Sequence, residues 1–320
     1  MLVSDTQATT RQYNSMDRAP HSLHECTTAE EFALRFEAST GHSVRQVVDQ
    51  VVASSEPRAV FLVGSLPLGM ASEGSDVDLN VLVDSKAALL EKSSEITNTD
   101  QRLVFSNESD ILRASEFLTV ANGILVDTVV VVTPAIKQIY GRLRSKGPEL
   151  SETEIATLSR LSTGWLLWES EGYLERSGVT LTDSALDVYC CTRYFVSALH
   201  HVKKGRKAVD FADIPLALHF GRSSVEMAYV AYFAAEGFSY LGAKWLAQIG
   251  YARGASERLS RHPLLKEGVR LLFPSFPATV SETECYFQEV GEFVTSIRKL
   301  IEQKTLFRIA FSACPQVVPV

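Results

Sequence analysis

Two aspartates separated by one residue, Asp76 and Asp78, open the run Asp76-Val77-Asp78-Leu79-Asn80-Val81-Leu82-Val83. Its polar–apolar alternation is the signature of a half-buried strand. On a strand, residues two apart project from one face with Cα atoms roughly 6.5 Å apart. Carboxylates at that range oppose each other's ionisation unless a cation lies between them. A divalent, oxygen-preferring ion such as Mg²⁺ suits the pair. Upstream, the apolar run Ala59-Val60-Phe61-Leu62-Val63 ends abruptly at Gly64-Ser65. Ser65 and Pro67 read as a helix start, Ser65 near the N-cap and Pro67 in the first turn. A helix N-terminus preceded by glycine offers free backbone N–H groups to an anion, phosphate above all. Phosphate cradle and cation-binding carboxylates thus share the stretch Gly64 to Asp78, a combination that points to nucleotide handling.

A third acidic residue stands out further along. Asp127 is the one charge inside Ile124-Leu125-Val126-Asp127-Thr128-Val129-Val130-Val131-Val132, a strong strand by β-branched content. Burying a lone carboxylate in so apolar a strand is costly without a partner. A structural salt bridge or an edge position would meet that need. So would a third place on the cation held by Asp76 and Asp78, and the upstream pair favours this reading.

These residues need elements to position them. Residues 1 to 26 are polar and aperiodic and read as a mobile tail. Thr28-Ala29-Glu30-Glu31 is a capping box. Ser43 introduces Val44, Val47, Val48, Val51 and Val52 at helical spacing. Strands are expected at 59–63, 76–83 and 124–132, with further strands at Arg102–Phe105 and Phe117–Val120. Thr133-Pro134 starts a helix through Leu143. Ser151-Glu152-Thr153-Glu154 is a second capping box, opening a helix that is expected to carry on to Trp165 and Trp168. Residues 183–203, 223–237, 241–252 and 281–303 also read as helices, with Pro263, Pro274 and Pro277 between them. The fold class is therefore α+β. A mixed, helix-flanked sheet over 27–147 precedes an all-helical domain over 148–320, where acceptor specificity is expected to reside.

Composition narrows the function classes. With 320 residues, two cores are affordable, and 46% hydrophobic against 22% charged residues is ordinary for a globular chain. A net charge of −7 is the opposite of the broad basic face that general nucleic-acid binding requires. Five cysteines, an odd number, are expected as reduced thiols in a cytoplasmic setting, and no pair has zinc spacing. The apolar stretch from Met227 to Ala243 is interrupted by Glu236, so it reads as a buried helix rather than a membrane span. Glu226, on that helix, reads as one half of an ion pair, with contact to a substrate hydroxyl or amine the sharper alternative. Lys203-Lys204-Gly205-Arg206-Lys207 reads as a solvated helix end. His200-His201 and Cys190-Cys191 point in different directions on a helix and read as packing and surface residues.

The set Gly64-Ser65, Gly69, Ser75-Asp76-Val77-Asp78-Leu79 and Asp127 resembles the polymerase-β-like nucleotidyltransferase superfamily, and within it the small bacterial aminoglycoside and lincosamide enzymes. The pattern covers residues 60 to 128. In the helical half, Tyr240-Leu241-Gly242-Ala243-Lys244-Trp245-Leu246 is similar to a lysine–tryptophan element of the family's second domain, a shorter and less specific match. The resemblance implies a nucleotidyltransferase fold and transfer of a nucleoside monophosphate, AMP from ATP foremost, to a hydroxyl or similar group with release of pyrophosphate. It implies that Gly64 and Ser65 hold the triphosphate, that Asp76, Asp78 and Asp127 bind two Mg²⁺ ions, and that Asp127 doubles as general base. Lys244 is then a phosphate contact, although an exposed helix lysine beside a core tryptophan fits the same residues. The partners implied are a nucleoside triphosphate and an unidentified acceptor, a small molecule or a protein, with homodimerisation also in keeping. The alternatives are a regulatory or antitoxin-like nucleotide-binding protein and a cyclic-oligonucleotide synthase.

Overall fold

The apolar run before Gly64 and the alternating run after it form the inner strands of a five-stranded mixed sheet. In the computed structural model, which describes residues 23–51, 56–72, 74–84, 116–121, 123–145, 149–179, 181, 184–239, 263–275, 277 and 279–304, the strands are β1 (Ala59–Val63), β2 (Val77–Val83), β3 (Glu116–Ala121), β4 (Ile124–Val132) and β5 (Trp165–Glu169). Their order is β3-β4-β2-β1-β5. β2 and β4 run parallel, while the other neighbours are antiparallel. The helices are α1 (Ala29–Thr40), α2 (Val44–Val51), α3 (Thr133–Ser145), α4 (Glu152–Thr163), α5 (Tyr173–Ser177), α6 (Ser184–Asp210), α7 (Ile214–Ala235), α8 (Pro263–Leu272) and α9 (Val280–Glu302). The fold is α+β, a mixed sheet with flanking helices followed by a helical region.

Period-two alternation divides the sheet residues between two cores. Val60, Leu62, Leu79, Val81 and Val130 pack with Phe32 and Phe36 of α1 and Val47 of α2. Phe61, Val63, Leu82, Val129 and Val131 face the other way, into a core shared with α3, α4, α6, α7 and α9. That second core runs without a break from the sheet face into the helical region. Among the described residues, no helix is long and apolar enough to cross a membrane.

Local chemistry sets the helix ends. Thr28 Oγ1 accepts from the Glu31 backbone N–H, but the Glu31 carboxylate reaches Thr27 N–H rather than Thr28 N–H, so the first capping box is shifted by one residue. At α4 the box is complete, with Ser151 and Glu154 bonding reciprocally. Glu154, nearly fully buried, also pairs with Arg142 of α3.

Two expectations change at the element level. The helix from Ser151 stops at Thr163, and Trp165–Glu169 becomes β5, paired with β1. Gly164 makes this possible, because a Cβ there would lie 2.8 Å from the Leu62 carbonyl oxygen. The chain meets β1 at that point, and the open edge of β1 then takes up the tryptophan segment. The basic run 203–207 lies inside α6, which continues to Asp210. Gly205 in that run is a close-approach position, where a Cβ would meet the Phe287 ring of α9 at 2.1 Å. The expected strand 102–105 and helix 241–252 lie outside the described residues. The four described cysteines are free thiols; Cys190 and Cys191 are both buried and Cys285 is exposed.

Candidate functional site

The site is built at the end of the sheet where β1 finishes and β2 begins. Val63, the last residue of β1, stands opposite Asp78, the second residue of β2. On the other side of β2, Asp78 is in register with Asp127 of β4. Val63, Asp78 and Asp127 thus form one row across three strands. Neighbouring strands lie about 4.8 Å apart, so the two carboxylates are held side by side, each half-buried. They project from the face that carries the larger core, the one continuous with the helical region. Two carboxylates at this spacing favour a positive charge between them.

Gly64 follows in the left-handed region at φ 78°, which costs glycine nothing and other residues dearly. It also leaves room for the aspartate, since a Cβ at Gly64 would sit 2.1 Å from Asp78 Oδ2. The Asp78 carboxylate therefore lies directly against the Gly64 backbone. This contact joins the Gly-Ser pair to the acidic pair, as their shared stretch of sequence anticipates.

The helix expected from Ser65 does not propagate. Met70 N–H bonds to the Ser65 carbonyl at 2.9 Å and Gly69 N–H to the Leu66 carbonyl at 3.0 Å, with Gly69 at φ 65°. This pair of bonds around a left-handed glycine is the Schellman closure that ends helices; here it closes the chain after one turn. Ser65 is buried, at 6% exposure, and Leu66 and Leu68 enter opposite cores, so the turn straddles the sheet end. A second turn follows, in which Ser75 N–H bonds the Ser72 carbonyl and Ser72 N–H the Ser75 hydroxyl oxygen. Asp76 emerges from it exposed and one residue ahead of β2.

The three aspartates are therefore not equivalent. β2 and β4 bring Asp78 and Asp127 together, whereas Asp76 lies outside the sheet. Among the described residues, no group of three or more His, Cys, Asp or Glu side chains is gathered that could hold a metal ion. The all-carboxylate chemistry of the register pair, and the Gly64 cradle that seats Asp78, do fit a divalent cation shared with a ligand's own oxygens.

Sequence reasoning does not single out Asn80. It follows Asp78 by two residues on the same face of β2, between Phe61 and Val129. It is 1% exposed, and neither Oδ1 nor Nδ2 has a hydrogen-bond partner among the described residues. Its signal is the alternation that marks Asp78, because Asn80 is the next polar residue in the inward series.

Other candidates lie apart or in different roles. Lys244 and its lysine–tryptophan element lie outside the described residues. Glu226 of α7 is half-buried, and that burial raises its carboxyl pKa. The ion pair expected for it is not formed among the described residues. A groove of about 750 Å³ between α6 and α9, lined by Arg206, Asp210, Glu284, Cys285 and Lys299 among others, includes none of the three aspartates. At the far end of the sheet, Asp84 accepts from Arg58 Nε at 2.7 Å and from the Tyr173 hydroxyl, which also contacts Thr133 Oγ1 at 2.8 Å. Partial burial opposes Asp84 ionisation, but the Tyr173 and Arg58 hydrogen bonds outweigh it and hold the carboxyl below its usual range. Burial, then the Asp84 hydrogen bond, push Tyr173 up to about 12. This cluster pins the end of the sheet that the site leaves free.

No protein-family model matches the chain, and no curated protein matches it in sequence. Among solved structures, the chain is similar to a nucleotidyltransferase-like protein from Exiguobacterium sibiricum 255-15, at 14% identity and a TM-score of 0.42, over 88% of this chain and 81% of that one. A likeness that distant transfers no residue role.

Proposed function

We propose that the chain is a Mg²⁺-dependent nucleotidyltransferase that moves a nucleoside monophosphate, AMP from ATP foremost, onto a hydroxyl or similar group of a small molecule or protein. The observation that carries this reading is the row Asp78–Asp127, with Gly64 packed on the Asp78 carboxylate. Gly64 of the Gly-Ser pair and one aspartate of the pattern, Asp78, are in contact there.

Asp78 and Asp127 from the strands, with Asp76 from the segment before β2, would hold the cations together with the triphosphate. When bound, such ions neutralise charge on the triphosphate and acidify the attacking hydroxyl. The acceptor oxygen bonds to the α-phosphorus, the bond from that phosphorus to the bridging oxygen breaks, and pyrophosphate leaves. Asp127, half-buried at the back of the row, takes the acceptor's proton on its carboxylate. Gly64 and Ser65 meet the triphosphate with backbone N–H groups at the start of the closed turn. The helical region, whose core is continuous with the sheet face from which the carboxylates project, would supply the opposite wall.

Incubation with α-labelled ATP, Mg²⁺ and a panel of acceptors tests the reading. Label transfer is expected for the wild type. Asp78→Asn and Asp127→Asn should each lower it by at least about 100-fold, with helical circular dichroism unchanged. Tight Mg²⁺-dependent triphosphate binding without turnover on any acceptor would instead identify a nucleotide-binding regulator. Transfer unchanged in Asp78→Asn would end the proposal.

A further inference from the structure

Asn80 has no structural role that its surroundings explain. A carboxamide brings two donors and acceptor capacity into the protein, and burying them without partners costs stability. At Asn80 the cost is met in full, with 1% exposure and both Oδ1 and Nδ2 lacking hydrogen bonds among the described residues. Its row neighbours, Phe61 and Val129, are apolar. A valine there would suit the strand and the core better. The next row toward the site, on the same face, holds Asp78 and Asp127. Departures from local consistency of this kind concentrate at functional sites.

Resting on the nucleotidyltransferase reading of the row in front of it, we propose that Asn80 is a positioning residue. Its carboxamide, one row behind them on the same face, orients the Asp78 and Asp127 carboxylates toward the cation. Groups behind metal-ligating carboxylates fix ligand direction in this way, and their loss costs about 10- to 100-fold in metal affinity.

Threonine and valine have the same shape and differ by one hydroxyl, so Asn80→Thr and Asn80→Val separate polarity from packing. Full-length wild type, N80T, N80V and Asp78→Asn are compared in two measurements. One is the thermal midpoint without ligand; the other is calorimetric binding of a non-hydrolysable ATP analogue with Mn²⁺. N80V should melt at or above N80T, because it buries no unpartnered hydroxyl. Its Mn²⁺-dependent binding should be weakened about 10- to 100-fold, with N80T between it and the wild type. N80V melting below N80T, or both variants binding as tightly as wild type, overturns the role of Asn80 alone. If the wild type binds no more tightly than Asp78→Asn, the cation site itself is wrong and the role of Asn80 falls with it.

Discussion

At the residue scale, the most constrained contact is the one between Gly64 and Asp78. Gly64→Ala forces an L-residue to φ 78°, costing about 1–3 kcal/mol, and drives a methyl into the Asp78 carboxylate. Triphosphate binding should weaken along with stability. The two effects separate in a double-mutant cycle. Asp78→Ala removes the atoms that the methyl would strike, so Gly64→Ala should cost less in that background, a coupling of about 0.5–3 kcal/mol. Additive urea-unfolding free energies would mean that the carboxylate does not lie against Gly64 in solution. Gly64, Asp78 and Asp127 were legible because their types are conspicuous: a glycine ending an apolar run, a carboxylate in an alternating strand, a lone charge among valines. The unequal standing of Asp76 was not legible, since it depends on where β2 starts, and that is set by the Ser72–Ser75 turn. Nor was the aborted helix, because Pro67 announces a first turn while Gly69 ends it. Asn80 was hidden for another reason, in that asparagine in a strand carries no charge to draw attention.

Elements repeat the pattern. β1 and β4 are readable to the residue, since five apolar positions in β1, and eight apolar or β-branched positions around Asp127 in β4, bounded by Gly64, Gly123 and Pro134, leave little choice. β5 is not. Trp165-Leu166-Leu167-Trp168 prolongs the apolar series of α4, and only the open edge of β1 turns it into a strand. Edge strands depend on their partner in this way. Gly164 is the hinge of that decision, with the Leu62 carbonyl, the Arg160 carbonyl and Val63 Cγ1 all within 3.0 Å of where a Cβ would lie. Gly164→Ala should therefore destabilise the chain by about 1–3 kcal/mol, an overpacking cost, and loosen β5 first. Hydrogen exchange gives the test. Amides of 165–169 should lose protection while those of 77–83 keep theirs. Uniform loss across the sheet would mean that β5 is not a separable edge. Because β1 ends at Val63 and leads directly into Gly64, loosening its outer neighbour should also blur the site, and triphosphate binding should weaken in parallel.

On the scale of the whole molecule, the sheet face bearing the carboxylates and the helical region share one core, so stability perturbed far from the site should be felt throughout. Three buried tyrosines test this. Tyr173 ties the end of β2 to α3 through Asp84 and Thr133. Tyr286 of α9 donates to the Leu271 carbonyl of α8 at 3.0 Å, and Tyr229 of α7 donates to the Leu264 carbonyl at 3.3 Å. Burial raises all three pKa values, Tyr173 and Tyr286 from 10.0 to about 12 and Tyr229 further still. A raised folded-state pKa means that the unfolded chain releases its proton first as pH climbs. All three therefore leave stability intact below pH 10; Tyr173 and Tyr286 withdraw it between pH 10 and about 12, and Tyr229 at higher pH. If the core is one cooperative body, tyrosinate absorbance from these residues should appear in a single step, coincident with loss of helical circular dichroism. Tyr173→Phe should cost about 1–2 kcal/mol at neutral pH through its lost hydrogen bonds, yet make the alkaline fall shallower by one ionisation. Two resolved alkaline transitions, one in the sheet and one in the helices, would show that the shared core does not bind the two regions into one unit. The helices would then be free to unfold independently of the strands that hold Asp78 and Asp127.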